Sequence, residues 1–193
     1  MRLALVALSV VAFASLTGCS DPAPVLPDGA FFLQTTQSDP TQCMIAGNFA
    51  QVGVIDANNK NAVVSDGQDK AVVDCNVSGT SNFDIYAVLD DTGGNSGDYF
   101  EMLIGSIGLS ATEDNPAKGA VAFSAPWTAG NAFGGACNFW VESGNSPRID
   151  NADGAGKVWV SFSCPGLTSG MSTCPLQTGF ALFENCLTTP HAE

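Results

Sequence analysis

The chain is short of positive charge. Its 193 residues hold six Lys or Arg against 19 Asp or Glu, which gives a formal net charge of −13 at pH 7. Because no basic stretch stands out, we expect no nucleic-acid partner. The acidic residues are scattered instead of forming blocks, which favours a plain soluble surface over a specific acidic recognition motif.

Histidine is almost missing as well. The one histidine, His191, lies close to the C-terminus, and the cysteines include no C-x-x-C pair. A structural zinc site is therefore not expected, and a Ser-His or Cys-His nucleophile would lack its base. The chain also lacks the G-x-S-x-G elbow of many hydrolases and the phosphate-binding G-x-x-x-x-G-K sequence.

Long apolar runs are absent except at the N-terminus. Residues 3–13 carry no charge and follow Arg2, but they are too few to span a bilayer, which takes roughly 20 residues. A positive charge, a short apolar stretch and small residues after it are typical of a secretory signal. The sequence therefore predicts export.

Residues 16–19, Leu-Thr-Gly-Cys, close this segment. They resemble the bacterial lipoprotein box, in which a branched apolar residue and two small residues precede a modified thiol. The resemblance implies cleavage after residue 18 and transfer of diacylglyceryl to Cys19, so that acyl chains such as palmitate anchor the protein to a membrane. The alternative is ordinary cleavage after Ala14, which ends a small-x-small site.

The cysteine count favours lipidation. Of seven cysteines, six remain if Cys19 carries lipid, and an even number in an exported domain predicts three disulfides. Ordinary cleavage would leave all seven cysteines in the exported chain, so that one thiol would have no disulfide partner within it. The sequence allows fifteen connectivities, among which we predict local pairing: Cys43–Cys75, Cys137–Cys164 and Cys174–Cys186.

Ser20 follows Cys19. By resemblance to lipoproteins of enteric bacteria, Ser at this position favours the outer membrane of a Gram-negative cell envelope, although Asp21 argues against it. Residues 19–29 contain three prolines and are predicted to be an extended tether. Residues 30–193 then form one domain, which is large enough to bury its own core.

Strand patterns dominate this domain. Apolar residues alternate, glycine is abundant with 21 residues, and turn-forming residues separate the apolar stretches. This pattern predicts an all-β fold, an antiparallel β-sandwich of the jelly-roll-like kind, although an open barrel fits equally. The predicted strands are 31–36, 44–55, 70–77, 82–90, 99–109, 118–124, 136–142, 156–164 and 179–185.

Two of these strands predict a binding face. If they pair antiparallel with Cys137 opposite Cys164, each inward residue meets an apolar partner, and a slip by one residue would destroy the match. Trp140 and Trp159 then become diagonal neighbours on the outer face, where they could stack on sugar rings. Alternatively, a loop around Trp127 or Phe133 covers this face, and the side chains of Trp140 and Trp159 form a second core layer. The candidate ligand-binding residues are Asn138, Trp140, Glu142, Trp159 and Ser161.

The acidic, Gly-rich loop over residues 90–98 is a candidate calcium site. Its metal-ligating residues would be Asp90, Asp91, Asn95 and Asp98, with calcium as a possible cofactor. The loop fails the helix-loop calcium motif, which requires Gly at its sixth position. An ordinary turn explains the same composition.

Three functions remain open. The leading one is a non-enzymatic envelope lipoprotein whose β domain binds a glycan or an envelope protein. The second is a purely structural envelope component. The third is a glycosidase, which needs only two suitably spaced carboxylates, for which Glu142 and Glu101 are the candidates.

Overall fold

The computed structural model describes residues 25–36, 42, 43, 45, 47–55, 62–141 and 148–189. Within these ranges the chain forms strands and three short 3-10 turns, Gln68–Lys70, Pro126–Thr128 and Ala152–Gly154. The strands are β1 (Asp28–Thr35), β2 (Phe49–Val52), β3 (Val64–Ser65), β4 (Val72–Gly79), β5 (Asn82–Asp90), β6 (Tyr99–Gly108), β7 (Ala117–Ser124), β8 (Phe133–Val141), β9 (Ile149–Asp150), β10 (Gly156–Ser169) and β11 (Ser172–Cys186).

The described strands belong to one sheet, ordered β2-β1-β11-β10-β8-β7-β6-β5-β4, with β3 beside β1 and β9 beside β10. Every pairing between these strands is antiparallel, so the predicted antiparallel all-β class is confirmed. The sheet curls into a half-barrel. The two separate sheets of the predicted sandwich are not seen, because one strongly curled sheet covers both sides of the core.

Six fully buried phenylalanines fill the concave side of this sheet. Phe31 of β1 and Phe100 of β6 lie five places apart in the strand order, yet their rings stack with centroids 4.8 Å apart. Phe100 also meets Phe162 of β10 at 5.7 Å. The six phenylalanines are Phe31, Phe100, Phe123, Phe139, Phe162 and Phe183.

Gly179 leaves room for the ring of Phe162. It faces Phe162 across the β10–β11 ladder, and a Cβ at this position would overlap the Phe162 ring. Only glycine lets the ring lie this close to the neighbouring strand.

Both outer edges of the sheet have hydrogen-bond partners. Beyond β11 the chain turns towards β4, where the Val77 N–H donates to the Leu187 carbonyl at 2.8 Å and the Leu187 N–H donates to the Cys75 carbonyl at 2.9 Å. At the other edge, β2 is contacted by two side chains: Asp98 accepts from the Gln51 N–H, and the Trp127 ring N–H donates to the Phe49 carbonyl. Protected edges are a common defence against strand addition by other chains.

Three disulfides connect the six cysteines, and two of the predicted pairings are wrong. The bonds are Cys43–Cys174, Cys75–Cys186 and Cys137–Cys164, of which only the last was predicted. Local pairing fails because β1 lies beside β11, which brings the first and last parts of the domain together. The two long-range bonds span 131 and 111 residues.

The predicted strands are confirmed apart from their ends. Among the described residues of segment 44–55, the strand is β2, while β10 and β11 are longer than predicted and form one hairpin. Strand β1 begins at Asp28, inside the predicted tether. Cys19 and the rest of the predicted signal and lipidation box lie outside the described residues.

Candidate functional site

The predicted register between β8 and β10 is confirmed. Phe162 lies opposite Phe139, and Val160 lies opposite Val141. The Cys137–Cys164 disulfide forms on the same inner face. As a result the outer face of this ladder carries the polar and Trp side chains that the sequence placed there, with Ser161 opposite Trp140 and Ser163 opposite Asn138.

Trp159 is covered, so the predicted platform of two exposed Trp rings does not form. The Trp159 side chain is only 5% exposed, and the guanidinium carbon of Arg148 lies 3.6 Å from its ring centroid. The predicted covering loops are wrong, because Trp127 and Phe133 instead pack on Phe123 of the inner face, each with a centroid distance of 5.7 Å.

Trp140 remains accessible in part. Its side chain is partly exposed, while Ser161 opposite it is fully buried. Asn138, two residues from Trp140 on the same face, accepts a hydrogen bond from the Lys118 ammonium at 2.6 Å. Glu142 lies outside the described residues, so the proposed set reduces to one partly exposed ring with polar neighbours.

The outer face continues past Ser161 as a row of aromatic side chains. Phe180 on β11 lies opposite Ser161, and Phe32 on β1 lies opposite Phe180. The Phe32 ring centroid is 6.3 Å from that of Phe180 and 6.3 Å from that of Phe49 on β2. We call this set, Phe49, Phe32, Phe180 and Trp140, the aromatic strip.

The exposure of the aromatic strip is unusual for large apolar side chains on a sheet. Phe49 is 58% exposed, and the other three members are partly exposed. Single exposed apolar residues are ordinary, but a contiguous set marks an interaction surface more often. Sequence reasoning missed the strip because its members come from four strands whose order was unknown; the inward and outward alternation at Phe31 and Phe32 was the available signal.

The predicted calcium loop is held together by its own hydrogen bonds. Asp91 accepts from the Ser96 N–H at 2.7 Å, and Asp90 accepts from the Thr92 N–H at 2.9 Å, as in an ordinary Asx turn. Asn95 donates to Asp69. Across the part of the chain that the structure describes, no three His, Cys, Asp or Glu side chains are grouped closely enough to hold a metal ion.

Asp98 is the most perturbed carboxyl of this loop. It is 6% exposed, and burial raises its pKa to about 6, with a smaller contribution from the nearby charge of Asp91. Hydrogen bonds from the Gln51 N–H and the Ser96 side chain act in the opposite direction. The loop is therefore tied to the edge strand β2 by a carboxyl group that titrates close to neutral pH.

Glu101, one of the two candidate glycosidase acids, lies away from the aromatic strip. It faces Ala122 on β7, which in turn faces Gly134 on β8. Gly134 is six residues from Trp140, or about 20 Å along the strand at roughly 3.3 Å per residue. The Glu101 carboxylate accepts a hydrogen bond from the Tyr99 hydroxyl at 2.6 Å, and burial and this bond raise the pKa of Tyr99.

Among the described residues, no helix is long and apolar enough to cross a membrane. Comparison with known proteins found no matching family model, no matching curated protein and no matching solved structure.

Proposed function

We propose that the protein is a lipid-anchored, extracytoplasmic lipoprotein that displays a non-enzymatic binding domain. The observation that carries the proposal is the aromatic strip, one exposed and three partly exposed rings on the outer face of the sheet. Binding surfaces are enriched in aromatic side chains, and those set on strands lose little conformational freedom when a partner binds.

Cysteine pairing supports the anchoring. The three disulfides use Cys43, Cys75, Cys137, Cys164, Cys174 and Cys186. Of the seven cysteines in the chain, this leaves Cys19, in the segment that resembles a lipoprotein box. Three disulfides are compatible with an extracytoplasmic location. A lipidated Cys19 would be separated from β1 by residues 20–27, which reach about 25 Å if extended at roughly 3.1 Å per residue.

The anchoring is tested by replacing the proposed lipidation site. The C19S variant should move from the membrane fraction to the soluble fraction, and the N-terminal peptide of the wild-type protein should carry the mass of a diacylglyceryl group. S20A is the matched control and should stay with the membrane. A C19S protein that remains bound to membranes would refute lipid anchoring.

The outer-membrane placement follows from Ser20 and has its own test. On fractionation of inner and outer membranes, the wild-type protein should separate with the outer membrane, whereas S20D should shift towards the inner membrane. Equal distribution of both proteins would refute this part of the proposal while leaving the lipid anchor in place.

A further inference from the structure

We infer that the aromatic strip binds an extended, uncharged glycan chain. This deepens the proposed binding function and rests on it. The inference depends on three properties of the strip: its linear geometry, the chemistry of its neighbours, and the occupied edges of the sheet.

The geometry suits a linear polymer. The strip crosses the sheet from β2 to β8, which covers four strand-to-strand steps and about 19 Å at roughly 4.8 Å per step. Phe32 and Phe180 are direct partners across β1 and β11, and Phe49 lies diagonally to Phe32, with 6.3 Å between the ring centroids in each pair. Ser161 of β10 separates Phe180 from Trp140. Sugar rings present apolar C–H faces that pack on aromatic rings, so several sugars of one chain can meet rings of the strip.

The neighbouring side chains are uncharged hydrogen-bonding groups. On the row next to the strip, Gln34 lies opposite Thr178 and Ser163 lies opposite Asn138. Amides and hydroxyls of this kind donate to and accept from sugar hydroxyls. Aromatic rings flanked by neutral polar groups fit a glycan better than they fit an apolar surface such as lipid.

Charge argues against an ionic partner. The nearest described charged groups at the Trp140 end are both engaged, Arg148 over the Trp159 ring and Lys118 with Asn138. No other charge lies on the strip or on the row of neutral residues beside it, as far as the described chain goes. The net charge of −13 repels an anionic polysaccharide, and a cationic partner would find no carboxylate among the described residues of the strip and of the neutral row beside it.

The occupied sheet edges argue against a peptide that adds as an extra strand. Such a peptide needs unpaired backbone groups at a sheet edge. Here Asp98 accepts from the Gln51 N–H of β2, and Leu187 pairs with β4 at the opposite edge. The available surface is thus the outer face, which offers side chains only.

The experiment measures binding of the purified mature protein to cellohexaose and to chitohexaose by calorimetry and Trp fluorescence. Alginate serves as the anionic control. Saturable binding to at least one neutral hexasaccharide is expected, together with no binding to alginate. The F49A and W140A variants should each weaken the neutral interaction at least tenfold.

The matched control is L103A. Leu103 is an apolar side chain that is 51% exposed, but it lies on β6, outside the strip. L103A should bind as the wild type does, and all variants should keep the wild-type melting temperature to within a few degrees. Because Phe49 is largely exposed, F49A tests the strip without disturbing the core.

Three results would overturn the inference: no binding to either neutral hexasaccharide, equally tight binding of alginate, or an equal loss in L103A. A protein ligand that is lost in W140A, without any glycan binding, would overturn the glycan assignment and preserve the binding function. Failure of C19S to leave the membrane would affect only the anchor, since the purified protein can bind glycan without one.

Discussion

Removing the Cys75–Cys186 disulfide should open the half-barrel where its last strand meets β4. In the C75A/C186A variant, this junction would retain side-chain packing, the two backbone hydrogen bonds between Leu187 and residues Cys75 and Val77, and the hydrogen bond from the Asn76 side chain to the Thr189 carbonyl. The bond is buried, with both cysteines at most 1% exposed, so the two alanines leave no exposed polar group behind.

The expected loss of stability follows from loop closure. A separation of 111 residues would by itself give about 5 kcal/mol at 25 °C. However, Cys43–Cys174 already links the two ends of the domain. With that bond intact, the second one closes a loop of only about 44 residues, counted from Cys43 to Cys75 and from Cys174 to Cys186, so its removal should cost about 4 kcal/mol.

Urea unfolding followed by Trp fluorescence measures the total loss in the free energy of unfolding. Hydrogen exchange shows which part of the sheet is affected. The Val77 and Leu187 amides donate the hydrogen bonds of the junction and should exchange much faster in the variant. The control is C137A/C164A, which removes a disulfide of 27-residue separation. It should cost a similar 3 to 4 kcal/mol by the same relation without selectively exposing those two amides.

Two results would refute this reasoning. A loss below about 1 kcal/mol would show that the disulfide does not restrict the unfolded chain as loop closure requires. Equal exchange of the Val77 and Leu187 amides in both variants would show that the disulfide has no special role at the junction.

Three further predictions concern single side chains. Since the folded-state pKa of Asp98 is raised from 3.8 to about 6, the folded protein binds this proton more tightly than the unfolded chain. The free energy of unfolding should therefore gain about 2 kcal/mol as the pH falls from 7.5 to 4, and urea titrations of D98N should lack this gain. R148A should uncover Trp159, shift Trp emission to longer wavelength and cost about 0.5 to 2 kcal/mol, whereas an unshifted spectrum would contradict the stacking. G179A should lower the melting temperature by several degrees because the new methyl group overlaps Phe162, while G105A, which meets no neighbouring atom, should change it far less.

The sequence predicts those parts of the fold that depend on local pattern. Alternation located the strands, and the pairing of β8 with β10 followed because one register satisfied both the cysteines and the phenylalanines, Phe139 with Phe162. A pattern that repeats every two residues determines which face is buried. This pattern does not indicate which distant strand will pair with a given strand.

The parts that the sequence could not give depend on contacts between distant segments. The disulfides of Cys43 and Cys75 could not be predicted because both partners lie more than 100 residues away. The aromatic strip could not be predicted because it forms only when β1 lies beside β11, and the sequence does not reveal this pairing. Trp159 is covered by Arg148, a residue outside β10. The alternation within β10 does not predict where that residue lies.

The pairing of the first strand with the last has a consequence for export. A chain that leaves the cytoplasm from its N-terminus delivers β1 before any other strand, but β1 hydrogen-bonds to β11 along nearly its whole length. The sheet cannot be completed, nor can Cys43 and Cys75 find Cys174 and Cys186, until the end of the chain has crossed. In an exported chain, translocation would thus finish before the native fold exists, and the early cysteines would remain open to wrong pairings throughout that interval.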